Sequence, residues 1–242
     1  MSLEMVLWQA AQAGTETLVG DLLQNSPEVD VNWVGPEMGD SAFHRACRFG
    51  HLGVVKLLLG WQETNLNLGN AGGGTAFNVA CQEGHTRVVS LLLGDPRVDI
   101  AKMATRGCTP LYVACDLGET EVAAMLLDYP DIIHLNQGQL DNSTPLWIAS
   151  QNGHLPIVRL LLASHVDVDT AVKSKFNSKT AAQHARNQPR VVKSPRESDE
   201  SVILRQTNGP LIADLIDAYE ANSVAVREQA RRTPGTRGLL AL

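Results

Sequence analysis

Aromatic side chains are scarce in this 242-residue chain: Phe, Trp and Tyr make up 5% of it, so any core must be mostly aliphatic. Cysteine is scarce too. Four residues in a chain this long do not form the disulfide framework of a small secreted domain. No apolar run approaches the roughly 20 residues that a helix needs to cross a bilayer. The opening "MSLEMVLWQAAQAG" lacks the basic start of a secretory leader, carries Glu4 early and turns polar quickly. These absences lead to the expectation of an intracellular, reducing location, cytoplasmic or nuclear, with no membrane contact. Positive charge is also short over most of the length. Residues 1–172 hold 8 Lys+Arg against 19 Asp+Glu, whereas residues 173–242 hold 12 against 7, giving −11 and +5 within a total of −6. An acidic body is thus followed by a basic end. Nucleic acid is not an expected partner of the body, because phosphates call for stripes of Lys and Arg.

What the sequence does have is repetition. "LWQAAQAGTETLVGDLL", "SAFHRACRFGHLGVVKLLL", "TAFNVACQEGHTRVVSLLL", "TPLYVACDLGETEVAAMLL" and "TPLWIASQNGHLPIVRLLL" align on Gly14, Gly50, Gly84, Gly118 and Gly153, at spacings of 36, 34, 34 and 35 residues. Each unit reads as two short helices. Ser41, Thr75, Thr109 and Thr144 are placed to cap the first helix through a side-chain oxygen. Pro110 and Pro145 fall at the first helical position, where a missing N–H costs nothing. The glycine ends that helix in the left-handed conformation. A short apolar second helix follows, with Pro156 in the first turn of its copy. Turn-rich stretches such as "GDPRVDIAKMATRG" join the units and fit extended hairpins.

On these motifs the chain resembles the ankyrin-repeat family, whose unit reads T-P-L-H-x-A over about 33 residues. The likeness runs over roughly residues 3 to 185 and is most specific in "TPLYVAC" and "TPLWIAS". Ala42 and Ala76 depart from the proline, and Asn78, Tyr112 and Trp147 from the histidine. The resemblance implies an all-α solenoid of stacked helix-turn-helix units with β-hairpin loops. The first unit looks like an N-terminal cap, and "KSKFNSKTAAQHARN" begins a sixth, degenerate one. The expected organisation is a repeat array over 1–189, a flexible insertion over 190–208, a capping helix over 209–221 and a basic disordered tail over 222–242.

Several residues invite a chemical reading. Cys47, Cys81 and Cys115 recur 34 residues apart. Equivalent positions in stacked units form a ladder with rungs about a helix diameter apart, too far for a tetrahedral metal site, and a small apolar residue suits the contact between units. Cys108 lies in a hairpin with Arg106 as its one nearby cation. His51, His85 and His154 each follow the repeat glycine, and the resemblance implies that they tie adjacent loops together by hydrogen bonds. "GNAGGGTAF" puts glycines before a helix, but no lysine follows as in a phosphate-binding loop. Neither a catalytic residue, a cofactor nor a metal is expected, and the chain reads as a non-enzyme. Ser194, before Pro195, and Ser198, beside acids, are candidate phosphorylation sites.

The resemblance implies a partner protein or peptide bound on a concave face made of hairpin tips and first helices. The side chains left free by the repeat are then the candidates. Just before each helix-ending glycine stand Arg48-Phe49, Gln82-Glu83, Asp116-Leu117 and Gln151-Asn152. The hairpin tips contribute Trp33, Glu37, Met38, Asp40, Thr105, Arg106, Leu140 and Asp141. Phe49 and Leu117 carry the most weight, as apolar residues without an evident place in the scaffold; packing of Phe49 on its neighbour's loop stays open beside an interface role. The acid excess favours a basic partner, and the chain is expected to be a monomer. The alternative is a targeting or scaffold region of a larger multidomain protein, such as an enzyme whose catalytic domain lies outside these residues.

Overall fold

The computed structural model describes residues 1–129, 133, 135–164, 168–175, 178–186 and 199–221, with side chains of the last span described from 206 onward. Its contacts divide the chain into two compact units, Met1–Thr105 and Arg106–Leu242. The first unit holds α1 (Leu3–Ala13), α2 (Glu16–Asn25), α3 (Ala42–Arg48), α4 (Leu52–Gly60), α5 (Ala76–Gln82) and α6 (Thr86–Leu93). The second holds α7 (Pro110–Leu117), α8 (Thr120–Leu127), α9 (Pro145–Asn152), α10 (Leu155–Ala163), α11 (Ala181–Arg186) and α12 (Asp199–Ala221).

Within each unit like packs on like. In the first, α3 lies between α1 and α5, while α4 lies between α2 and α6. In the second, α9 lies between α7 and α11, and α10 between α8 and α12. This is an all-α repeat stack, and its core is mostly aliphatic, as the composition demanded. Leu7, Phe43, Phe77, Leu111 and Leu146 occupy one register of the first helices, and Leu22, Leu58, Leu92, Leu126 and Leu161 one register of the second, all of them buried. A helix of seven to nine residues is too short to hold itself, so its stability comes from these rungs.

The ends of the helices follow from local chemistry. The hydroxyls of Ser41, Thr75, Thr109 and Thr144 accept the backbone N–H three residues on, and Pro110 and Pro145 take the first helical turn. Gly14, Gly50, Gly84, Gly118 and Gly153 all have φ between +68° and +85°. A second constraint bears on them. A Cβ added to Gly14 would come within 2.5 Å of His51 Nδ1, and one on Gly50 within 2.7 Å of His85 Nδ1. The glycine is needed both for its dihedral and for the imidazole that lies against it.

The loops between units differ from the expected hairpins. Among the described residues there is no strand; a lone antiparallel bridge joins Val34 and Ser41. The tips pair with each other instead, Ala71 N–H donating to Met38 O (2.9 Å) and Thr105 N–H to Gly72 O (2.9 Å) in the first unit. Leu140 N–H donates to Arg106 O (3.1 Å) in the second. Turn residues between short helices leave too few extended positions for a ladder.

The C-terminal end also departs from expectation. Thr180 and Gln183 close a reciprocal cap on α11, since Gln183 N–H donates to Thr180 Oγ1 and Thr180 N–H to Gln183 Oε1. The last helix starts at Asp199, not at 209, so it takes in the second half of the stretch expected as a flexible insertion. Residues 200–208 contain neither glycine nor proline, and nothing local stops the helix there; Pro210 is carried inside it. Residues 190–198, with Ser194 and Ser198, and the tail 222–242 lie outside the described residues.

Candidate partner-binding face

Two columns of side chains fix the first helices before any partner is considered. The histidines after the glycine reach back one unit: His51 Nε2 pairs with Gln12 O (2.8 Å), His85 Nε2 with Arg48 O (2.8 Å) and His154 Nε2 with Asp116 O (3.1 Å). The loop-tying role implied by resemblance is therefore what the geometry has. In the second column, Trp8 Nε1 donates to Asp40 O (2.8 Å) and Trp147 Nε1 to Lys179 O (3.1 Å). His44 Nε2 pairs with Gly74 O (3.1 Å), while its Nδ1 faces the Ser41 hydroxyl (2.9 Å), which makes Nε2 the protonated nitrogen. Asn78 does the same work with Nδ2 on Lys102 O (3.1 Å) and Oδ1 accepting from Thr75 (2.6 Å). Indole, imidazole and amide are interchangeable here because each offers a donor at similar reach.

The cysteine ladder is packing. Cys47, Cys81 and Cys115 are fully buried, and burial pushes all three thiols well above their ordinary range. Cys108 is half-buried, accepts Gln139 Nε2 (3.1 Å), and is also raised by burial against the opposing charge of Arg106. Neither environment makes a reactive thiolate.

Upon the first unit's scaffold sits a charged network. Asp40 is fully buried, and its carboxylate accepts Arg48 Nε (2.8 Å), Arg48 Nη2 (3.3 Å) and Asn70 Nδ2 (2.9 Å). Arg45, with 4% of its side chain exposed, lies 3.8 Å from Asp40 and pairs with Glu37; Arg48 pairs with Glu83 (3.0 Å). Burial works against the charge on Arg48, but its bonds to Asp40 outweigh this and raise its pKa. The Arg45 guanidinium rests 4.0 Å over the Trp8 ring and 5.8 Å from that of Phe49, a cation–π arrangement worth about 0.5–2 kcal/mol. Among the described residues its Nε is buried without an acceptor, an orphan that costs about 1–3 kcal/mol.

The second unit uses the same register differently. Asp116 stands where Arg48 stands in the first, half-buried, and Asn152 Nδ2 donates to both its backbone O and its Oδ1 at 2.8 Å. Burial raises its pKa, opposed by the Asn152 bond. Tyr112 and Asp141 face it closely enough for each carboxylate to raise the phenol further, on top of burial. Leu117 and Leu140 are exposed beside them.

The residues singled out in the sequence thus divide. Glu37, Met38, Phe49, Glu83, Arg106, Leu117 and Leu140 are exposed, and Arg48, Asp116, Asp141, Gln151, Asn152 and Trp33 half-buried. Asp40 is a correction: it was expected at an exposed tip, but two arginines and an asparagine claim its carboxylate and it lies inside. Arg45 and Trp8 were missed. The signal was present, because the three repeats that follow place Val79, Val113 and Ile148 at the position of Arg45. An arginine in an apolar column must be buried among partners. Among the described residues no group of three or more His, Cys, Asp or Glu could hold a metal, and no helix is long and apolar enough to cross a membrane.

Comparison with known proteins fits this geometry. A family model described as ankyrin repeats, in three copies, matches residues 7–104, 59–139 and 96–174. The ankyrin repeat and SAM domain-containing protein 6 of Mus musculus is 34% identical over 85 residues, which cover 34% of this chain and 9% of the mouse protein.

Proposed function

Because the chain belongs to the ankyrin-repeat family, we propose that it is a non-enzymatic module that binds a partner protein or peptide on the face built from its hairpin tips and first helices. One observation carries this reading: Phe49 and Leu117 occupy the same repeat position, just before the helix-ending glycine, and are 44% and 50% exposed. Backbone groups and histidines fix the scaffold on either side, and no hydrogen bond of that scaffold needs an apolar side chain there. Repeats keep the frame and vary what projects from it, which is how such arrays acquire distinct partners. The acid excess of residues 1–172 supports a partner segment of basic character, and an intracellular location with a monomeric chain belongs to the same reading.

Affinity capture with the wild-type chain and with Phe49→Ala and Leu117→Ala baits tests it. A specific prey should be lost from at least one variant, at a temperature where circular dichroism shows both variants folded. If every specific prey is retained by both, the face is misassigned.

A second reading, a targeting or scaffold region of a longer protein, is favoured by the mouse relative, of which the chain spans 9% and whose name includes a SAM domain. A full-length transcript with further domains supports it; a transcript of 242 codons ends it.

A further inference from the structure

Resting on that reading, the structure of the first unit points further, to the chemistry of the segment that its face takes. We propose that it receives an extended peptide in which two basic side chains flank an apolar one.

The observation is how the two exposed acids are held. Glu37 accepts Arg45 Nη2 on its Oε2, and among the described residues its Oε1 has no partner. Glu83 takes Arg48 Nη1 (3.0 Å) and Gln82 Nε2 (3.3 Å) on the same oxygen, Oε1, and leaves Oε2 equally unclaimed. Each carboxylate is therefore fixed on one side by a nearly buried arginine and presents its other oxygen outward. The arginines are themselves locked, both on Asp40 beneath them. A fixed acceptor loses little side-chain freedom when a donor arrives, which is what separates a receptor from a floppy surface acid.

Apolar surface lies beside the two acids. Phe49 follows Arg48 directly and is stacked at 6.2 Å on His51, which holds the ring in place while 44% of the residue stays exposed. Met38, next to Glu37, is 56% exposed and sits at φ +57°, a left-handed conformation that costs a methionine more than a glycine. The pattern acid–apolar–acid is complementary to basic–apolar–basic, and three carboxylates against two guanidiniums leave the network with a residual negative charge. The unpartnered Nε of buried Arg45 is an independent mark: an array selected for stability alone would carry valine there, as at position 79. The arginine is explained by what it does to Glu37.

The test uses the intact 242-residue chain and fluorescence anisotropy with labelled synthetic peptides that place Arg-Leu-Arg, Gln-Leu-Gln, Glu-Leu-Glu or Arg-Ser-Arg between Gly-Ser flanks. Arg-Leu-Arg should bind, Gln-Leu-Gln and Glu-Leu-Glu about tenfold or more weakly, and Arg-Ser-Arg about threefold more weakly. Glu83→Gln and Phe49→Ala should each weaken Arg-Leu-Arg about fivefold or more at a temperature where circular dichroism shows both variants folded. Equal binding of the neutral or acidic peptide, full affinity in Glu83→Gln, or no binding by any peptide would overturn the proposal. The peptide series does not depend on a variant folding. A prey lost from Phe49→Ala in the capture experiment, together with failure of Arg-Leu-Arg, would leave the module reading standing and remove this one.

Discussion

At the second position before the repeat glycine, the first unit places Arg48 and the second Asp116, and their surroundings diverge accordingly. Arg48 is wired into a buried network with Asp40, which orients the exposed acids around Phe49. Asp116 makes no ion pair with a described arginine or lysine; an amide from Asn152 satisfies it, and burial leaves it reluctant to ionise. Yet both residues use their backbone carbonyl identically, accepting an imidazole from the next repeat at 2.8 and 3.1 Å. One atom of the residue belongs to the frame and the rest is free to vary. The same position can therefore carry opposite charges without disturbing the stack.

The largest effect should come from the network's hub. Asp40→Ala strips two nearly buried guanidiniums of their shared carboxylate and is expected to cost about 3–5 kcal/mol in urea unfolding. The counterpart Asp116→Asn should cost nothing and stabilise slightly, since burial already disfavours the charge. Equal losses would erase the distinction between the two sites.

Next come Gly50→Ala and Gly118→Ala, whose new Cβ atoms would fall 2.7 Å from His85 Nδ1 and from His154 Cε1, respectively, at φ +69° and +85°. Each should lose about 2–3 kcal/mol by chemical denaturation. Here the two units should agree, and unequal losses would show that the frame is not the shared part.

A pH series separates them again. Burial lowers the pKa of His44 below its ordinary 6.5, so the unfolded chain binds its proton first and stability falls as pH drops below about 6.5. Asp116 works the other way: its raised pKa adds stability below about 3.8 that is lost as pH rises through the folded value. His44→Asn keeps the pairing, since Asn78 already makes it with an amide one repeat on, but removes the titrating ring. It should flatten the midpoint between about pH 7 and 5 in thermal melts. An unchanged slope would mean that His44 is not what titrates.

The smallest effect concerns the strained tips. Met38→Gly and Arg106→Gly relieve φ of +57° and +68°, offset by the chain entropy of glycine, for a net gain of about 0.5 kcal/mol each. In the first unit that gain should come with weaker peptide binding by anisotropy, if Met38 belongs to the face.

Much of the frame was legible in the sequence because it repeats. A threonine, a glycine and a histidine at fixed offsets each have one local job, and five copies expose the pattern even where single residues differ. Arg45 was overlooked for the same reason: attention to what recurs hides what interrupts, and only the valines and isoleucine at its position in the three following repeats mark it. Position 40 was misjudged because burial of a carboxylate depends on Arg48 and Asn70, which come from different elements. The start of the last helix was misplaced because Gly209-Pro210 reads as a local break, whereas the helix runs through it from Asp199.

The sequence by itself determined the repeat, its register and the caps, since these rest on backbone chemistry within a few residues or on a regular period; the loop-tying role of the histidines came from the family resemblance. Tertiary structure decided which charges are inside, which oxygen of Glu37 and of Glu83 is left open, and how far Phe49 and Leu117 are exposed. The network among them depends on distances between residues up to 35 apart in the chain, as from Arg48 to Glu83, and such distances are set by how one repeat settles on the next.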